Sequence, residues 1–285
     1  MTAVLYDIPG PRARSRNRML AGIGVAAVLA FAAYVLYRLA VTGQLDGDKW
    51  SFILYENVQL LLLDALLATL LAFAIAAVLS VVFGVVFAVA RLSDHAWLRT
   101  PAALIVEFFR AIPVLIMIFT IYFGLPSVGV TISALWAVVI GLTLYNGSVL
   151  AEIFRAGVLA VPRGQSEAAY AMGLRKSQVM TNVLLPQAVR AMLPTIISQL
   201  VVVLKDTALG FLIGYPELLF TTRTLGSQGQ FDFPIIPVAI VVAVIYIGMC
   251  LLLSSLANYA EGRTRRVGRG GDLVPVRRAQ DTVPM

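Results

Sequence analysis

Apolar residues fall in long blocks along this chain, not in the one-sided spacing of an amphipathic fold. Residues 19–37 carry no charge. At 1.5 Å per residue that is just enough to cross a hydrocarbon layer of about 30 Å. Residues 65–90 form a longer uncharged block, which predicts tilt or a kink. Ser80 and Gly84 within it are small enough to admit a close helix neighbour. Further blocks near 104–124, 133–158, 191–216 and 235–257 predict four more spans. The reading is an all-α, polytopic membrane protein with about six transmembrane helices. Pro113 interrupts the third span early. Pro194, Lys205, Asp206 and Gly210 break the fifth, and Pro234 and Pro237 open the sixth, where proline is tolerated. No internal repeat of the secondary-transporter sort is visible.

Composition agrees: the chain is 60% hydrophobic and only 13% charged, where a soluble domain is about half apolar and a quarter charged. Residues 1–18 form a polar tail with Arg12, Arg14, Arg16 and Arg18, and 261–285 a Gly- and Arg-rich tail that reads as disordered. Residues 19–41 hold the first span, too long for a signal-peptide core and so expected to stay. With the N-terminus cytoplasmic, inner segments hold 18 of the 22 Lys and Arg residues. That asymmetry orients a multi-pass protein of the cell membrane with both termini inside. The net charge of +7 therefore reflects topology and lipid contact, with no nucleic-acid partner implied. Cys250 is the only cysteine and His95 the only histidine, so neither a disulfide framework nor a His-rich metal site is expected.

The longest polar interruption is Leu159 to Arg190. Pro162 and Gly164 should end the preceding helix, and Ser166 can cap a run from Glu167 to Met172 with the acid in its first turn. Gly173 should stop that run. A second run, Lys176 to Leu185, should end before Pro186. Small residues (Gly164, Ser166, Ala168, Ala169, Ala171, Gly173) would let another surface approach the backbone closely.

Glu167-Ala168-Ala169, three residues, Gly173, nine residues and Val183-Leu184-Leu185-Pro186 resemble the EAA loop of ABC-importer permeases, with Val183 in place of the usual Ile. Arg91-Leu92-Ser93, Val106 to Pro113, Ile121 to Pro126, Ala151 to Gly157 and Leu204 to Leu209 resemble motifs of the polar amino acid permeases. These include the histidine, glutamine, arginine and glutamate systems. The likeness covers residues 60–257, including the coupling loop 159–190. Ala111 and Ile112 depart from the usual Gly and Thr. The extra first span and basic C-terminal tail resemble glutamate permeases of actinobacteria. The resemblance implies a type I ABC-importer permease fold, and a coupling helix in which Glu167, Ala168, Ala169 and Gly173 meet an ATPase. Its implied partners are a second permease chain, different from this one, two ATP-binding subunits and an extracytoplasmic amino acid binding protein.

None of the three lysines, Lys49, Lys176 and Lys205, follows a glycine, so the chain has no P-loop. ATP would be bound and hydrolysed by a partner, and no cofactor or catalytic residue is expected here. Lys205 and Asp206 lie inside a span, where charges are costly and face a cavity or a partner. With Thr207 and Asn146 they form a candidate substrate path, since an amino acid presents both an ammonium and a carboxylate. Neighbouring helical residues point about 100° apart, so the two charges should not neutralise each other. An ion-coupled carrier or channel would also use such charges, but leaves the loop unexplained. A membrane enzyme finds no paired carboxylates, Ser/His/Asp set or metal cluster in the sequence.

Overall fold

A computed structural model of the chain describes residues 10–268. Every regular element among them is helical: α1 (Pro11–Val41), α2 (Gly47–Trp50), α3 (Glu56–Arg91), α4 (Ala96–Ala111), α5 (Val114–Phe119), α6 (Ala134–Leu159), α7 (Arg163–Ala171), α8 (Lys176–Val179), α9 (Leu185–Asp206), α10 (Leu218–Gly226) and α11 (Ile235–Gly268). Five helical segments are long and apolar enough to cross a membrane, or six if the bent α4–α5 pair is one span.

The helices α3 and α6 form the central pair. Ala72, Ala76, Ser80, Gly84 and Ala88 recur every four residues on the buried face of α3, so a smooth stripe meets its neighbour. A Cβ added at Gly84 would stand 2.8 Å from the Leu150 Cβ and 3.2 Å from the Ala151 backbone nitrogen. From the other side, one at Gly147 would stand 2.8 Å from Phe83. We expect Gly84→Val to force the pair apart and cost about 1–3 kcal/mol by overpacking. Thermal unfolding of the detergent-solubilised chain checks this, and an unchanged midpoint would contradict the close approach.

The third expected span, 104–124, is not one helix. The chain turns by 97° between α4 and the segment that starts with α5. Ile112 precedes Pro113 and takes extended backbone, φ −89° and ψ 127°, as a residue before proline is pushed to do. Beyond α5 the helix widens into a π turn at Thr120–Gly124 and tightens to a 3-10 turn at Leu125–Val128. It stops on Gly129 at φ +81°, a left-handed conformation that glycine adopts freely. At the end of α9 a 3-10 segment, Thr207–Ile213, ends similarly on Gly214.

Both tails differ from expectation where they are described. The helix α1 begins at Pro11 and includes the four arginines, so the polar tail 1–18 is helical from there on; residues 1–9 lie outside the described residues. The helix α11 runs past 257 to Gly268, so 261–268 is not the disordered segment expected, and 269–285 lie outside the described residues.

The connections gather at two ends. At one, Phe52 is fully buried with Leu218, Phe231 and Val238, Tyr55 meets Phe231 edge-on at 5.2 Å, and Lys49 Nζ lies 3.2 Å from Asp232. At the other, the Asp94 carboxylate pairs with Lys176. That ammonium, by hydrogen bond and charge, holds the Asp94 carboxyl below the usual carboxylate range. Any stability from the pair is therefore present at neutral pH and lost only as pH falls through that depressed value.

Candidate functional site

The connecting loop carries the first set of expected residues. The helix α7 starts at Arg163, with Pro162 before it. Ser166 is consequently inside the helix, where its hydroxyl donates to the Arg163 carbonyl at 2.8 Å, and it caps nothing. Glu167 is correspondingly past the first turn. Proline at the N-cap, its φ fixed by the ring, starts the helix four residues before the serine. The C-terminal end follows expectation. Gly173 has φ +80°, its N–H donates to Tyr170 O at 2.9 Å, and Leu174 N–H donates to Ala169 O at 3.3 Å. This pair of bonds is the Schellman ending.

Exposure separates the four coupling candidates. Glu167, Ala168 and Gly173 are exposed, beside Met172, which is 85% exposed. Ala169 is only 5% exposed, so it lies outside the contact surface expected for it. The helical period turns it inward, and α7 packs on the π turn that follows α8. That π turn, Met180–Leu184, is why Pro186 ends nothing. Leu185 N–H reaches back five residues to Met180 O, and the wider turn accommodates the missing N–H and the ring of proline at the start of α9.

At the same end of the bundle, Arg91 Nη1 lies 2.8 Å from Glu152 Oε2. Arg155 donates to both Glu152 oxygens at 3.1 and 2.5 Å, and Glu107 is 3.7 Å from Arg91. One charge cluster thereby ties α3, α4 and α6 together just before the chain enters the loop.

The polar residues inside the bundle divide into two groups. Asp206 is half-buried close to Asn146. Asn146 is fully buried and its Oδ1 accepts from Gln199 Nε2 at 2.7 Å, while its Nδ2 makes no hydrogen bond. Lys205 is exposed and lines a separate, open cavity of about 500 Å³ together with Ala208, Leu219, Thr222, Tyr246 and Cys250. Thr207 is fully buried; its hydroxyl donates to Leu204 O at 2.6 Å and lies near the Tyr246 hydroxyl. The structure thus brings Asp206 to Asn146 and places Lys205 and Thr207 around Tyr246.

Sequence reasoning missed Gln199, Tyr246 and Glu217. Glu217 is fully buried and accepts from Leu219 N–H, Phe220 N–H and the Tyr246 hydroxyl at 2.8, 2.7 and 2.8 Å. An acid directly before an apolar run was the available signal for a cap. Its partner across 29 residues had none.

Residues 80–266 match the family described as binding-protein-dependent transport system inner membrane component. This chain belongs to that family. The match begins inside α3 and takes in every candidate residue above. Among members, the glutamate transport system permease protein GluD of Corynebacterium glutamicum is 41% identical over 235 residues, 81% of this chain and 85% of its own length. The probable amino-acid ABC transporter permease protein YckA of Bacillus subtilis is 36% identical over 174 residues, 61% of this chain and 76% of that one. A solved structure, described as an amino acid ABC transporter with histidines, superposes with a TM-score of 0.68 at 30% identity and covers 74% of this chain and 98% of that chain. A family member of this kind is a multi-pass membrane protein, and its relatives are transporter subunits.

Proposed function

We propose that this chain is the transmembrane permease subunit of an ATP-driven amino acid importer, with glutamate as its first candidate substrate. The observation that carries this is the 41% identity to a glutamate permease over 85% of that relative's length. In this reading a second, different permease chain pairs with it and two ATPases bind below. An extracytoplasmic binding protein delivers the amino acid. Glu167, Ala168, Met172 and Gly173 form the surface that meets an ATPase. Closure of the ATPases on ATP moves α7 as a rigid body and so biases the bundle between two states.

Lys205 supports an anionic substrate. Among the described residues it is the only charged one lining its cavity, so a carboxylate entering there meets a cation, while the Glu217 carboxylate is buried and bonded behind Tyr246. Asp206 beside Asn146 is suited to an ammonium group. The deciding experiment is reconstitution with the partner subunits and binding protein, comparing glutamate, glutamine, arginine and histidine as stimulants of ATP hydrolysis. Glutamate should give the largest stimulation; a larger response to another amino acid would move the assignment to it, and none at all would remove the function.

In this reading both termini lie in the cytoplasm. Cysteines introduced at Gln44 and Ser227 should then react with an impermeant reagent in intact cells, and one at Gln178 only after lysis. Labelling at Gln178 from outside would invert the topology and remove the ATPase from the loop.

A further inference from the structure

Three elements wall the cavity around Lys205. The helix α10 supplies Leu219 and Thr222, α11 supplies Tyr246 and Cys250, and the end of α9 supplies Lys205 itself. One residue bonds to two of these elements at once. Glu217 caps α10 through Leu219 and Phe220 N–H, and the oxygen that accepts from Leu219 also accepts from the Tyr246 hydroxyl at 2.8 Å. Thr69 of α3 joins the same group, accepting from Leu218 N–H at 3.3 Å.

We propose that Glu217 is the positioning residue of the Lys205 cavity, setting through Tyr246 how far the α10 and α11 walls stand apart. The choice of residue argues for this. Serine, threonine, aspartate and asparagine are the preferred helix caps, and any of them could serve α10 alone. Glutamate is longer, and a fully buried carboxylate is costly unless it is fully hydrogen-bonded. What its extra reach gains is the bond to α11. With that bond made, all three donors around the carboxylate are satisfied and the Tyr246 ring is fixed as a wall.

The substrate part of this inference rests on the importer reading above; the wall geometry does not. Cys250, the only cysteine of the chain, lines the same cavity and reports on it directly. In the assembled transporter, its modification by methanethiosulfonates of increasing size can be followed by mass spectrometry of this chain, without substrate. Tyr246→Phe should change that rate several-fold and raise the glutamate concentration for half-maximal ATPase stimulation about tenfold, with a smaller change in maximal rate. Glu217→Gln keeps only one acceptor oxygen for the three donors, so it disturbs the cap as well as the Tyr246 bond. It should act in the same direction, and the double variant should show less than the sum of the two single effects, because the Glu217–Tyr246 bond is common to both. If Glu217 serves only as a cap, Tyr246→Phe keeps both backbone bonds and leaves the Cys250 rate and the half-maximal concentration unchanged, which overturns the proposal. Additive single effects overturn it as well. A changed Cys250 rate in Tyr246→Phe, with no protection of wild-type Cys250 by glutamate, upholds the positioning role and removes the substrate reading alone.

Discussion

Replacing Gly173 with aspartate is expected to abolish substrate-stimulated ATP hydrolysis while leaving the chain inserted and paired. A Cβ at this position meets nothing within 4 Å, so the chain itself offers no steric objection. The backbone does object, because φ is +80° and a residue with a side chain pays roughly 1–2 kcal/mol there. Aspartate and asparagine tolerate this conformation best among residues with a side chain, so α7 should survive. What changes is the surface, which gains bulk and a negative charge next to exposed Glu167. Gly173→Asn separates the two effects, since it matches the size without the charge. Stimulated hydrolysis in reconstituted complexes should fall at least tenfold for the aspartate variant and less for asparagine. Normal stimulation in Gly173→Asp would mean that this surface meets no ATPase.

The second large effect is at Lys205. Lys205→Met removes the only charge that lines its cavity among the described residues and keeps most of the volume. Lys205 forms no ion pair among the described residues, so no internal acid is stranded by the change and assembly should be preserved. A hydrogen bond to a charged group contributes about 1.5–3 kcal/mol, which corresponds to roughly 10- to 100-fold weaker apparent affinity. Uptake into vesicles at low substrate should fall by that factor, with basal ATPase activity retained. Asp206→Asn should also reduce uptake, by loss of the charge beside Asn146. Wild-type uptake in both variants, or failure of both to assemble, would leave these residues a structural role only.

The spans were legible because membrane helices announce themselves by length and by the absence of charge. The Schellman ending at Gly173 was equally legible, since few residues besides glycine reverse a helix there. The divergence of Lys205 and Asp206 followed from helical geometry. The 97° turn at Ile112-Pro113 was legible only as an interruption; its size depends on how α4 and α5 each pack on α6. Ser166 misled because caps compete locally, and the proline four residues upstream won. The π turn before Pro186 has no composition of its own. Glu217 and Tyr246 are joined only by folding, and no local pattern links a cap on α10 to a hydroxyl in the middle of α11.

None of α1 is buried. In the order of synthesis this helix emerges before any of the helices that pack together, and its own apolar block already suffices for a bilayer. Its partition into lipid is therefore settled by its own residues, with arginines ahead of the block and Arg38 near its end. A span that no other described element buries can commit the chain's sidedness during translation, while α3 and α6, which depend on each other's small faces, must find one another afterwards. Biogenesis on this view has two clocks, an early one set by the ribosome and a later one set by diffusion within the membrane.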